Sequence, residues 1–235
     1  MIRNPNPPYP SGSDLGVRPA AALSVGFLTQ AFGWMFAGLL LTAGVAYVVQ
    51  TSTTLVNAAA GLFLPLFIVQ IVLVVAISAG INRMSATIAL GLFFVYAALM
   101  GVTLSFIFIA YSLGSIAAAF VSAAGMFGAA AAYGAITKRS LASIGGYAFM
   151  GLIGIVIASV VNLFLRSDSV SWIISIAGIG IFVVLTAWDV QKISRGQLAA
   201  ATGSMEKGAV LGALSLYLDF INIFLFLLRL MGGRR

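Results

Sequence analysis

The feature that most constrains this chain is a succession of apolar runs, each about as long as a bilayer is thick. About 20 apolar residues in a helix cross the hydrocarbon core. Lipid offers no water to backbone N–H and C=O groups, so only helices and closed barrels span it. Continuous apolarity, rather than alternation, selects helices. Composition agrees: 62% of the 235 residues are hydrophobic and 7% are charged, against roughly 25% charged in a soluble domain. So few charges cannot keep a soluble surface wet. The chain is therefore read as an all-α polytopic membrane protein.

Seven spans are expected at about 24–50, 55–79, 86–110, 113–137, 144–165, 170–190 and 209–230. Short connections make consecutive helices antiparallel neighbours, and only 191–208 is long enough for a real loop. Residues 1–20 are polar and proline-rich and read as a disordered cytoplasmic tail without a signal-peptide pattern. Residues 21–235 form the transmembrane domain.

Charges orient the spans. Arg83 follows the second, Lys138 and Arg139 the fourth, and Lys192, Arg195 and Lys207, with Glu206, the sixth. The tail adds Arg3 and Arg18 against Asp14. The intervening connections carry only Arg166 and Asp168, which cancel. Positive loops stay in the cytoplasm, so the amino terminus is expected there. Arg229, Arg234 and Arg235 oppose the rule if the last span crosses. A crossing helix is preferred to a re-entrant one, because the earlier helices fix the orientation. The net charge of +7 is thus a topology signal, and no nucleic-acid partner is expected. With no cysteine and no histidine, disulfides, thiolate nucleophiles, Ser-His-Asp triads and the usual zinc or haem ligands are excluded.

Gly125 with Gly128, Gly151 with Gly154, and Gly178 with Gly180 are read as close helix contacts, which small residues permit. Gln30 and Gln70 are read as interhelical hydrogen-bonding groups. No internal repeat of the kind common in transporters is visible.

Two acidic residues stand in or at the edge of apolar spans: Asp189 in IFVVLTAWDVQK and Asp219 midway along GALSLYLDFINIFLFLLRL. A charge at the bilayer centre costs about 2.5–3.5 kcal/mol on insertion scales, so Asp219 is read as functional. For Asp189 the structural alternative is a helix end at the headgroups, paired with Lys192. The sixth and seventh spans meet through one loop and are antiparallel. If the carboxylates touch, they share a proton and respond to pH as a unit. Ser215, Asp219 and Asn222 fall on one helix face, and Thr186 lies a turn before Asp189; these three polar neighbours are read as lining the pathway. Arg83 is the candidate counter-charge, with a plain topology signal as its alternative.

ALSLYLDFINIFLFLLR, LTAWDVQKI, MGVTLSFIF at 100–108, AGMFGA at 124–129 and TKR at 137–139 together resemble the Bax inhibitor-1 (TMBIM) family, in particular its bacterial members. The similarity covers about 20–235. It implies six helices around a central seventh, a pH-sensitive calcium leak in a bacterial inner membrane, and an aspartate pair at Asp189 and Asp219 latched by Arg83. The family commonly has Tyr-Asp-Thr where this chain has Trp188, Asp189 and Val190, so a hydroxyl beside the first aspartate is missing.

The leading expectation is a cation leak channel, with calcium the ion carried, no resident cofactor, and the aspartates as a weak, transient calcium site. Calcium takes about 6–8 oxygen ligands, more than two carboxylates with Ser215, Asn222 and backbone carbonyls supply. Partners are then the bilayer, calcium and other membrane proteins. The alternative is a regulator that acts by binding other membrane proteins in stress, cell-death or protease control. An intramembrane aspartyl protease is disfavoured: its second aspartate follows Gly-x-Gly, whereas Leu216, Tyr217 and Leu218 precede Asp219 and crowd out a substrate backbone. A retinal pump is excluded because the seventh span as read has no lysine. The chain is therefore not expected to be an enzyme.

The orientation is testable by thiol labelling. Cysteines replacing Ser52 and Ser169 should react with an impermeant reagent from outside intact cells, and one replacing Ser140 should not. The opposite sidedness would overturn the charge argument.

Overall fold

The computed structural model describes residues 20–232, with side chains from Gly26 onward. The tail read at 1–20 lies outside the described residues but for Ala20, as do Arg3, Asp14, Arg18, Arg234 and Arg235. Ten α-helices follow in order: α1 Ala20–Gln50, α2 Thr53–Gly61, α3 Phe63–Gly80, α4 Ala86–Leu104, α5 Ile107–Ala110, α6 Leu113–Ile136, α7 Ala142–Leu165, α8 Asp168–Ser194, α9 Gln197–Thr202 and α10 Met205–Met231. A 3-10 turn, Ile81–Arg83, closes α3.

Serines mark many of the starts. Ser52, Ser85, Ser112, Ser167 and Ser204 each accept a backbone N–H in the first turn of α2, α4, α6, α8 and α10, satisfying a donor that lipid would leave bare.

Seven helices are long and apolar enough to cross a membrane: Gly26–Gln50, Phe63–Arg83, Ala86–Ala110, Leu113–Ile136, Ala142–Leu165, Asp168–Ser194 and Met205–Met231. The largest departure from the sequence reading is the second. Instead of one helix from 55, the chain breaks at Leu62 between α2 and α3. Pro65 accounts for it, since its ring would clash with the carbonyl of Gly61 four residues earlier. The sixth and seventh spans run longer than expected, to Ser194 and from Met205. The expected 191–208 loop shrinks accordingly, and α9 occupies most of it. Gly196 and Gly203 flank α9 at φ 67° and 64°, a left-handed backbone that glycine adopts without a Cβ clash.

α10 is the axis of the bundle. Of its span 67% is buried, against 11–44% for the other six. It packs against α1, α4, α6 and α8 and touches α3, while α7 packs chiefly on α8. Its 27 residues run unbroken, about 40 Å at 1.5 Å per residue, long enough to cross and without the break that a re-entrant segment needs. Large apolar side chains such as Leu64, Val72, Met150 and Phe164 point outward, where lipid receives them. Alanines such as Ala31, Ala97, Ala123 and Ala213 are fully buried between helices.

Of the glycines expected at helix contacts, Gly151 lies against Ile181 and Gly178 against the ring of Phe226, but Gly125, Gly128, Gly154 and Gly180 have open space where a Cβ would be. Further tight approaches occur at glycines that no pair pattern marked. Gly134 abuts the backbone of Ala187, Gly145 the ring of Trp188, Gly101 the carbonyl of Thr42, and Gly208 the backbone at Leu198 and Ala199. The contact depends on which face of the helix meets a neighbour, and spacing alone does not report that. Gln70 bonds across α3 and α4 to the Thr103 hydroxyl at 2.7 Å, as expected, whereas Gln30 is exposed.

Gly134→Val should destabilise the protein by about 1–3 kcal/mol or more, because backbone cannot yield as a side chain can. Gly125→Val should be close to neutral. Thermal unfolding in detergent checks both, and equal effects would contradict the packing described.

Candidate functional site

α8 and α10 lie antiparallel in one register. Gly178 meets Phe226 near one end and Ile193 meets Gly212 near the other. Between these points the register brings Thr186 beside Asp219 and Ser215 beside Asp189. The carboxylates thus face each other across the interface about one turn apart, each beside a hydroxyl from the opposite helix, and their charges interact. Asp219 stands 14 residues after Met205, about 21 Å along a 40 Å helix. The two carboxylates can meet because α8 continues past Asp189 to Ser194 and α10 begins at Met205, earlier than the sequence suggested.

Asp189 and Asp219 are 8% and 4% exposed, yet their surroundings differ. Asp189 Oδ1 pairs with Lys192 Nζ at 2.5 Å, one turn along α8. Lys192 in turn lies over the Trp188 ring, 4.0 Å from its centroid, so Trp188 helps to hold the cation that pairs with Asp189. Asp219 Oδ2 is buried with no hydrogen-bond donor, alone in this among the described residues. The Thr186 hydroxyl cannot freely serve it, since it donates to the Phe182 carbonyl at 2.7 Å. An ionised Asp219 would have to draw that hydroxyl away. A protonated one can donate to the hydroxyl as it stands.

The other expected residues divide. Ser215 is half-buried beside Asp189. Asn222 is half-buried, and its amide donates to Leu218 of its own helix at 2.8 Å. Arg83 is exposed on the turn after α3, which touches α10, and among the described residues it pairs with neither carboxylate. Lys192 fills that place here. No group of three or more acidic, histidine or cysteine side chains that could hold a metal occurs among the described residues.

Two features escaped the sequence reading. Thr42 on α1 donates to the Ala97 carbonyl of α4 at 2.8 Å, and the Tyr217 hydroxyl completes the chain at 2.6 Å from Thr42 Oγ1. Thr42's proton being committed, Tyr217 is the donor. This buried relay ties α10 to α1 and α4 two residues from Asp219. Gln191, beside the Asp189 turn, grips the α6–α7 connection: its Oε1 accepts from Leu141 N at 2.8 Å and its Nε2 donates to the Arg139 carbonyl at 2.9 Å. Arg195 donates to the carbonyls of Thr137, Lys138 and Arg139, which puts these basic segments at one end of the bundle. Buried Thr42 and Tyr217 were visible as polar groups in apolar runs, but their pairing is 175 residues apart.

A bundle of six helices and a central seventh, with a carboxylate pair at the axis, defines the class of membrane protein. The family model described as "Inhibitor of apoptosis-promoting Bax1" matches residues 25–235. The Inner membrane protein YbhL of Escherichia coli is 46% identical over 232 residues, covering 95% of this chain and 97% of that protein. An uncharacterized protein of Borreliella burgdorferi is 45% identical over 214 residues, 89% of this chain and 92% of its own length. The protein YrjE of Lactococcus lactis is 39% identical over 212 residues, 88% and 90%. The chain belongs to the Bax inhibitor-1 family and is an integral, multi-pass membrane protein.

Proposed function

We propose that the chain is a pH-sensitive cation leak, with calcium the ion carried, gated by the Asp189–Asp219 pair in a bacterial inner membrane, its amino terminus cytoplasmic. The observation that carries this reading is the unpartnered Oδ2 of Asp219 at mid-membrane. A buried polar atom without a donor costs about 1–3 kcal/mol, more when charged, and a proton or a passing cation would relieve it. Asp189 a turn away supplies a second hard oxygen group, while Thr186 and Ser215 add hydroxyls. These remain short of a full calcium shell of about 6–8 oxygens, which suits passage rather than storage.

In this reading the arrangement is closed. Lys192 already supplies positive charge at Asp189. Towards Met231, the rings of Phe120, Phe127, Phe220 and Phe224 pack edge to face and form an apolar layer. Opening separates α8 from α10 or shifts α10 against its ring, and protonation changes the balance because two adjacent carboxylates cannot both be charged cheaply. Arg83 would act as a latch only by swinging inward in another conformation. The inner-membrane placement rests on the Escherichia coli relative, which is named an inner membrane protein. The second reading, a regulator of other membrane proteins, is favoured by the family description, which names an inhibited protein rather than a transported ion.

Calcium flux from liposomes containing only the purified protein separates the two. The leak reading expects pH-dependent flux. Asp189→Asn and Asp219→Asn should each lose most of that dependence, and the double variant little more, because the pair acts together. Lys192→Ala should raise flux several-fold at fixed pH, and Arg83→Ala should do so if the latch operates. Silence of the wild type would favour the regulator. Single variants that kept the wild-type pH profile would reduce the dyad to a structural pair.

A further inference from the structure

α6 and α7 are joined by a short connection, yet each packs against α8 rather than against the other. They leave between them a groove of about 310 Å³, walled by Ala130 and Tyr133 of α6 and by Leu141 and Ile144 at the start of α7, with Val183 and Ala187 of α8 as its floor. Its lining is almost wholly apolar. Small residues create it: Gly134 brings α6 onto the Ala187 backbone, while Leu141, Ala130 and Ala187 form a buried cluster separate from the main core.

The connection 137–141 bridges one mouth of this groove and carries Lys138 and Arg139, both exposed. Gln191 and Arg195 fasten its backbone to the end of α8, so the stretch that bears these charges is fixed at the end of the groove that Leu141 lines. Arg195 adds a third positive charge. Among the described residues the one ion pair joins Lys192 to Asp189, and no carboxylate pairs with Lys138, Arg139 or Arg195. Tyr133, 50% exposed on the wall, is the amphipathic type of residue that sits at headgroup level. A slot that accepts hydrocarbon below and an anion above matches one molecule abundant around such a protein.

We propose that this groove is a binding site for an anionic phospholipid of the adjacent leaflet, with an acyl chain between α6 and α7 and the phosphate headgroup at Lys138 and Arg139. Basic pockets between helices select such headgroups by charge. The site adjoins the turn bearing Asp189 and Lys192, because its Ala187 floor and the Gln191 clamp flank that turn on α8. The inference does not depend on the chain being a leak.

Native mass spectrometry of the full chain, titrated with phosphatidylglycerol or with phosphatidylcholine of the same acyl composition, tests it. Each basic side chain at an anionic lipid surface is worth about fivefold. The wild type should prefer phosphatidylglycerol, and the Lys138→Ala, Arg139→Ala double variant should lose more than about tenfold of that affinity while its phosphatidylcholine binding stays level. A phosphatidylglycerol with a photoactivatable group in its acyl chain should also crosslink the wild type at Tyr133 or Ile144. Equal binding of the two lipids, a preference that survives the double variant, or crosslinks confined to other helices would overturn the proposal. So would dimers in place of lipid adducts, which would give the groove to a second copy.

Discussion

The antiparallel packing of α8 on α10 is the constraint on which the rest depends, because it decides what each membrane carboxylate faces. A carboxylate in hydrocarbon is tolerated only where the bundle shields it and supplies partners. One register brings Asp219 to Thr186 and Asp189 to Ser215, and a shift of a single turn would break both pairings. The bundle is arranged to hold that register. Gly212 admits Ile193 at one end, Gly178 admits Phe226 at the other, and the Tyr217–Thr42 bond fixes the rotation of α10 from its opposite side.

Within that frame the two carboxylates are unequal. Asp189 has a cation a turn away and reaches toward the basic end of the bundle. Asp219 sits at the centre with an oxygen that nothing serves. In the proposed leak, such an asymmetry would let one group hold the closed arrangement while the other responds to protons or cations. The same α8 turn carries Gln191, which grips the α6–α7 connection. A movement of α8 that parted the carboxylates would therefore also pull on that connection and on the groove beneath it.

Much of this was legible in the sequence. Apolar runs of bilayer length gave the class and the span order, and acidic residues in those runs gave Asp189 and Asp219, since nothing in folding lipid-buried helices requires them. The misses have physical causes. The break at Leu62 follows from Pro65 acting on a carbonyl four residues back, a local signal overridden by the hydropathy of the whole run. The helices reach Ser194 and start at Met205 because a helix readily continues through the headgroup layer, where charged residues look like loop in the sequence. Glycine pairs were a partial guide: Gly151 and Gly178 meet neighbours as expected, whereas Gly125 and Gly128 face outward and Gly134 and Gly145, outside any pair, make tight contacts. Lys192 was visible as a helix-end partner for Asp189, but its support by Trp188 and the distance of Arg83 from the pair required the tertiary structure.

The central claim is that Asp219 and Asp189 form one proton-sensitive unit inside the membrane. Infrared difference spectroscopy of the protein in liposomes, titrated with pH, reads it most directly through the carbonyl stretch of a protonated carboxyl group. The account predicts a band that grows as pH falls, vanishes in Asp219→Asn, and changes its titration midpoint in Asp189→Asn. A band indifferent to Asp189→Asn, or none assignable to Asp219 at any pH, would contradict it.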